Sequence, residues 1–410
     1  MKKTVSLFLL VCLIISAFPA IPAAAYEEEG GFLYSITNGC ATIYDYVGYD
    51  PDCVVPSVIG GCPVTKVKDG GDSGITTLTI PESVEELERF GQNAKTIIIK
   101  NGGCCLAGYR GSESLETVIF EDGGRGAGEL WDETFKGCEN LKTVRLSSRI
   151  KNIREGAFAG CYALKEIDIP KSVEYLGDNA FKNCTSLEKV TICGKIQYKK
   201  TSMGYYSGSG WFANCRNLKT IEFAEDACLL GSYFSNWTGA ETIKIPFGSQ
   251  GSGANPTEFN LYFDGCSSLK SVSIPYGFDY IPNHIFLGCS SLEEVTIPYS
   301  VKTIHRDAFE DCNLTRIKGV MGSEAERYAE HMGIPFREIE HIYGDLDWNE
   351  KVEAKDALLA LCNAVGTVDL ISYHSISADV NVDGKVTAAD ALMILQYSVG
   401  LRTVFPAEIG

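Results

Sequence analysis

Histidine is scarce in this 410-residue chain, with five in all, and tryptophan and methionine are nearly as rare at four and five. So few histidines leave little room for a zinc site, which wants paired Cys or His ligands at short spacing. Basic residues are also short: 36 Lys and Arg stand against 53 Asp and Glu, a formal charge of -17. That balance excludes nucleic acid as a ligand, because phosphate binding needs clustered Lys and Arg. It suits an extracellular protein and the binding of cations. No stretch beyond the first 25 residues has the roughly 18 apolar residues of a membrane span. Catalytic signatures are missing as well. The string G-D-S-G at 71–74 lacks the rest of a serine-protease motif. Gly123, Gly124, Gly126 and Gly128 follow no strand of a nucleotide-binding unit. Carboxylates recur at exposed repeat positions, such as Glu166 with Asp168 and Glu293 with Glu294. That periodicity reads as a solvated face rather than the paired acids of a glycosidase.

What is present begins with an export leader. Lys2 and Lys3 precede an apolar run over 5–18, and Ala23, Ala24 and Ala25 offer a small-residue cleavage site. Val11 before Cys12 is too bulky for a lipoprotein signal. The expectation is a secreted chain cleaved near Ala25. Its length predicts two or more domains.

A repeat fills most of the remainder. Phe135, Phe158 and Phe181 are spaced by 23, as are Phe263, Phe286 and Phe309. Cysteines keep step at 138, 161, 184, 266, 289 and 312. A fixed period in the twenties means a solenoid, because one turn cannot bury its own apolar side and turns must stack. Leu164, Ile167 and Ile169 read as one short strand per turn, closed by Pro170. Val173, Leu176, Ala180 and Phe181 return the chain and fill the interior. The fold class is therefore a repeat solenoid with a parallel sheet face. Fifteen cysteines lie outside the leader, and an odd number cannot all pair. Their shared repeat position favours packing as small hydrophobes over disulfides.

These units resemble the BspA-like class of leucine-rich repeats, over about 26–340. The segment F-L-Y-S-I-T-N-G-C-A-T-I-Y-D-Y from Phe32 looks like that family's opening turn. G-S-E-A-E-R-Y-A-E-H-M-G-I-P-F from Gly322 looks like its closing helix and cap. Between 70 and 128 the repeats degenerate. Two insertions break the period. One carries Tyr198, Tyr205, Tyr206 and Trp211, and the other spans 248–256. Such loops can stack on sugars or a cell-surface protein, or their aromatics can fill distorted turns. Exposed strand positions, such as Lys142, Thr143, Arg145, Lys165, Lys189 and Thr191, are further candidate contacts.

The C-terminal segment has a different grammar. D-L-D-W-N-E-K-V-E-A-K-D runs over 345–356 and D-V-N-V-D-G-K-V-T-A-A-D over 379–390. Each places oxygen side chains at loop positions 1, 3, 5 and 12: Asp345, Asp347, Asn349 and Asp356, then Asp379, Asn381, Asp383 and Asp390. That spacing wraps hard oxygens around one calcium, with the carbonyls of Lys351 and Lys385 at position 7 adding a backbone ligand. Two ions are expected. Val352 and Val386 are expected to pack the loops together, and a helix A-L-x-x-L-x-x-x-V-G follows each. Glu350 occupies position 6, where Gly384 in the second loop suits the sharp turn, so the first site is expected to be the weaker.

Residues 344–401 resemble a type I dockerin, a small all-α double calcium-loop domain, leaving 402–410 as a tail. The resemblance implies docking to a cohesin module of a cellulosome scaffold. It implies partner reading at positions 10 and 11, here Ala354 and Lys355, then Ala388 and Ala389. The unlike pairs question whether both faces bind equally. The reading is a non-catalytic interaction or adhesion protein. A cellulosomal carbohydrate-active enzyme or protease, and a protective inhibitor of the complex, are the alternatives.

Overall fold

The computed structural model describes residues 26–70, 74–100, 105–123, 128–197, 210–224, 227–230, 232–246, 249, 261–275, 277–339, 342–346, 351–367 and 377–408. The leader, Cys104, most of G-D-S-G, Tyr198, Tyr205, Tyr206 and 250–256 lie outside them.

The solenoid opens with an antiparallel hairpin, Phe32–Thr37 against Cys40–Tyr46, turned by Asn38 and Gly39 at φ 54° and 76°. Both central residues need positive φ in such a turn, and Asn-Gly supplies them at little cost. Cys40–Tyr46 then pairs parallel with Cys62–Gly70, and all later solenoid pairings along the two main ladders are parallel. One ladder runs through Asp52–Val54, Thr77–Ile80, Thr96–Ile99, Thr117–Phe120 and Thr143–Arg145. Thr77, Thr96, Thr117 and Thr143 stand directly side by side in it. The stretch where the repeats degenerate thus keeps strict register, carried by alternating buried Leu78, Ile97 and Val118.

Each regular turn contributes two strands where the sequence suggested one. The return limb also pairs: Glu129–Leu130, Asn152–Ile153, Tyr175–Leu176 and Lys195–Gln197 form a second parallel ladder. Two or three residues per strand are too few to show an alternating pattern in the sequence. The pairing nevertheless satisfies backbone groups that burial would otherwise orphan.

The interior is built around a file of aromatic rings. Phe135, Phe158, Phe181 and Phe212 stack at centroid distances of 5.5, 5.3 and 5.5 Å. Phe234, Phe263, Phe286 and Phe309 do so at 5.1, 5.4 and 5.2 Å. Tyr109 and Tyr328 close the two ends of the file. The cysteines lie beside it. Cys161, Cys184, Cys215, Cys266, Cys289 and Cys312 each donate their thiol to a Phe carbonyl of the preceding turn, at 3.0–3.3 Å. The thirteen cysteines whose side chains are described are free thiols. The ladder cysteines pack as expected, and each also satisfies a carbonyl of the preceding turn.

The residue before each of these cysteines turns a corner in the left-handed region. Gly137, Gly160, Asn183, Asn214, Gly265, Gly288 and Asp311 have φ between 58° and 76°. Gly, Asn and Asp visit that region at least cost. Trp237 takes the cysteine's place in one turn, after Asn236, and its indole donates to the Leu218 carbonyl at 2.8 Å. Trp211, which the sequence placed with the insertion aromatics, is fully buried and edge-on to Phe234. It fills a distorted turn and offers nothing to a ligand.

Helix α1 (Glu324–Met332) caps the last turn with Ala325, Tyr328 and Ala329, and ends on Gly333 at φ 67°. Strand Phe336–Glu338 adds the final rung beside Arg316–Gly319.

A second, separate core follows. Helices α2 (Ala354–Ala364) and α3 (Ala388–Ser398) enclose Leu346, Leu359, Ala360, Val380 and Ile394, with Val352 and Val386 packed against it. The segment 402–410 contributes Phe405, which is buried and stacks on Tyr397 at 4.6 Å.

Candidate functional site

The second C-terminal loop is fully described. Asp379 accepts the amides of Asp383 at 3.0 Å and Gly384 at 2.8 Å. Asn381 accepts the Asp383 amide at 2.8 Å, and Asp383 accepts that of Lys385 at 2.9 Å. Val382 and Gly384 at φ 62° and 84° bend the chain so that these oxygens turn inward. The loop is therefore shaped by its own acidic side chains. Asp390 is fully buried and receives the Asn381 amide at 3.3 Å and the Thr387 amide at 3.0 Å. It ties the loop's start to the N-terminus of α3, where a negative charge is favoured by the helix dipole. Thr387 completes the cap by accepting from the Ala389 amide at 3.2 Å.

The first loop repeats this scheme where it is described. Asp356, fully buried, accepts the Leu346 amide at 2.8 Å and the Glu353 amide at 2.7 Å. Asp345 is buried, and Lys351 is exposed. Asp347, Asn349 and Glu350 lie outside the described residues. Among the described residues no three His, Cys, Asp or Glu side chains gather as ready ligands for an ion. The second loop's donor set is partly amide and carbonyl, and its carboxylates rest on backbone N–H groups. The chemistry of that set, hard oxygens at positions 1, 3, 5 and 12, fits calcium and does not fit a softer ion.

The residues at positions 10 and 11 begin the two helices. Ala354, Ala388 and Ala389 are exposed, and Lys355 is half-buried. Beyond them each helix shows an apolar strip to solvent, which spacing alone did not reveal. Leu358 and Leu361 lie on α2 with Val365 capping its end, and Leu392 and Leu395 lie on α3 with Val399 capping its end.

At the strands and just before them, ion pairs join neighbouring turns of the solenoid. Lys142 reaches Glu116 at 2.6 Å, Lys270 reaches Glu241 at 3.0 Å, and Lys318 reaches Glu294 at 2.9 Å. These pairs lower the pKa values of Glu116 and Glu241, through hydrogen bonds from the lysines first. Exposed pairs of this kind contribute about 0–1 kcal/mol each. Buried thiols move the other way: desolvation pushes Cys138 up to about 11 and Cys53 up to about 12. Such thiols are poor nucleophiles at neutral pH. Among the described residues no helix is long and apolar enough to cross a membrane.

Comparison with known proteins agrees with this anatomy. Residues 108–233 and 257–322 match the BspA type leucine rich repeat region in six copies, and residues 343–397 match the dockerin type I domain. No curated protein matches the chain. Similar solved structures include a leucine rich cell surface protein from Faecalibacterium prausnitzii, at 24% identity, covering 76% of this chain and 98% of that one, with a TM-score of 0.31. A leucine-rich repeat protein from Bacteroides ovatus shares 20% identity, covers 77% and 100%, and has a TM-score of 0.29. One from Eubacterium ventriosum shares 17%, covers 71% and 95%, and has a TM-score of 0.32. The chain carries BspA-type leucine-rich repeats and a type I dockerin domain, two non-catalytic modules, which supports a protein-interaction role through docking.

Proposed function

We propose that this chain is an exported, non-catalytic interaction protein that plugs into a cohesin-bearing cellulosome scaffold through calcium-loaded loops and presents its solenoid as a binding surface. The observation that carries the reading is the matched role of Asp356 and Asp390. Each is fully buried at position 12, and each bridges its loop to its helix. Buried carboxylates are held where a cation or amide donors offset their desolvation. One calcium would be held by Asp379, Asn381, Asp383, Asp390 and the Lys385 carbonyl. The other would be held by Asp345, Asp347, Asn349, Asp356 and the Lys351 carbonyl. Calcium would supply positive charge that locks each loop to its helix. The protein's part is to fix the helices, so that Ala354, Lys355, Ala388 and Ala389 and the apolar strips stand ready for a partner.

The solenoid's ligand is read as a glycan or a cell-surface protein, met by the exposed strand positions. The test is capture of the full chain on a panel of type I cohesins, with calcium and with a chelator. Calcium-dependent capture by at least one cohesin is expected. Capture by none, or capture indifferent to chelator, refutes the docking reading. Turnover of polysaccharide or casein by the full chain would refute the non-catalytic part.

A further inference from the structure

The closing end of the solenoid holds a cavity of about 520 Å³, within the ~300–1,000 Å³ of small-ligand sites. The return-limb strand Thr303–Ile304 forms one side. It pairs with Tyr280–Ile281 and has no second partner strand among the described residues. Helix α1 stands on that open side. Buried Ile304 and Tyr328 make the floor between them. The Tyr328 hydroxyl donates to the Arg306 carbonyl at 2.9 Å and so ties the strand's end to the helix.

Both walls carry cations. Lys302 and Arg306 flank the strand, while Arg327 and His331 stand four residues apart on α1 and so share a face. All four are exposed. Inside the solenoid such cations meet a carboxylate of the preceding turn, as Arg154 meets Glu129 at 2.6 Å. Register places Asn283, which has no charge, opposite Arg306. Lys302, Arg306 and His331 form no ion pair among the described residues. One carboxylate, Glu324, lines the cavity, and Arg327 bonds it. Asp279 and Asp307 lie near without lining it, and Asp307 stands 3.9 Å from His305.

Two guanidinium forks match carboxylates bidentately, and Lys302 adds a point charge. The Thr303 hydroxyl in the same wall suits a ligand that also bears hydroxyls. A sugar acid offers both kinds of group. The wider acidic surface does not forbid it, because charges beyond about 8 Å are largely screened at physiological salt. Duplex nucleic acid, with a charge about every 1.7 Å, calls for far more cations than four. An acidic peptide is disfavoured, since the chain's own exposed run Glu27–Glu29 would compete for the site.

We propose that the cavity between strand Thr303–Ile304 and α1 binds an acidic polysaccharide, whose uronate carboxylates are met by Arg306, Arg327, Lys302 and His331. The inference rests on the reading of the solenoid as a glycan-binding surface. It deepens that reading by giving the glycan a charge and a place at the closing end.

Titration calorimetry of the full chain with a short oligogalacturonate, at low and at physiological salt, tests it. Binding that weakens as salt rises is expected. Arg306→Gln with Arg327→Gln should weaken it about tenfold or more, the worth of one hydrogen bond to a charged group. Lys302→Gln alone should weaken it by about threefold. These side chains are exposed, so both variants should keep the wild-type melting transition. Lys219→Gln, at a lysine paired with Glu241, should leave the affinity unchanged. No binding by the wild type, or equal binding by the double variant, overturns the site. Polyglutamate bound as tightly as the oligogalacturonate overturns the choice of a glycan. A neutral glucan oligomer bound equally by wild type and double variant, with oligogalacturonate ignored, overturns the site and leaves the glycan reading of the solenoid standing. Cohesin capture should be the same in every variant, so docking is judged separately.

Discussion

Replacing Asp390 separates what the loop does for folding from what it does for calcium. Asp390 is fully buried, and its two oxygens serve the amides of Asn381 and Thr387 and the Thr387 hydroxyl. Asp390→Ala removes the acceptor of three part-buried donors, two of them backbone amides. Each orphaned amide costs about 1–3 kcal/mol, so the calcium-free unit should lose roughly 2–6 kcal/mol. Calcium adds a second component. A ligand at a hundred times its Kd stabilises the folded state by about 2.7 kcal/mol. For so small a unit each kcal/mol moves Tm by roughly 4–8 °C. The wild-type C-terminal transition should therefore rise by about 10 °C or more per occupied loop on adding calcium. Asp390→Ala should start lower and lose the share of its own loop. Titration calorimetry of the full chain is expected to count two ions in the wild type and one in the variant. Two ions bound by Asp390→Ala would refute the assignment. A lower Tm without any change in the calcium increment would show that Asp390 is a structural cap alone.

Three further outcomes follow from the solenoid. Phe286→Ala removes a fully buried ring held between Phe263 and Phe309 and should cost about 3–5 kcal/mol, seen as a lowered melting transition of the solenoid with the calcium response of the C-terminal unit unchanged. Cys312 is half-buried where Cys138, Cys161, Cys184, Cys215, Cys266 and Cys289 are buried, so among these ladder cysteines it should react first with iodoacetamide, as peptide mapping would read. Asp178 is pushed up to about 6, by burial first and the nearby Glu155 second. Its folded form holds a proton that the unfolded chain has released, so the stability it contributes is full below about pH 4 and is lost as pH rises to about 6. Asp178→Asn should flatten that slope in denaturant melts and gain about 1 kcal/mol at pH 7, the figure reduced for a half-exposed site.

Much of this architecture can be read from spacing. The Phe and Cys positions repeat because every turn meets the same interior, and Pro170 marks a strand end because a proline has no amide to donate. The closing helix is legible through Gly333, and the two loops through oxygen side chains at fixed intervals. Other features leave no periodic trace. The return-limb strands are two or three residues long and depend on neighbours about 23 residues away. Trp237 stands where a cysteine is usual, and nothing local marks the exchange. Trp211 looks like a loop aromatic because its turn is longer, yet it is core. Phe405 follows the last helix at no repeat position, and only the fold shows that it closes the second core. The ion pair of Lys244 with Glu353 joins residues 109 apart, a distance at which sequence pattern carries no signal.

The left-handed corner ahead of each cysteine sets how such a protein can change over generations. Cys161 reaches back 26 residues to the Phe135 carbonyl, and Cys184 reaches back 26 to that of Phe158. Excising 158–180 would hand Cys184 to Phe135 with the same bond, the same corner and the same ring stack. Copying that stretch would add a rung just as cleanly. Loss of a single residue between ring and cysteine, such as Ala159, would strand a thiol and misplace the corner. Genetic change in this chain is thus quantised: whole turns can come and go while the C-terminal unit is left untouched.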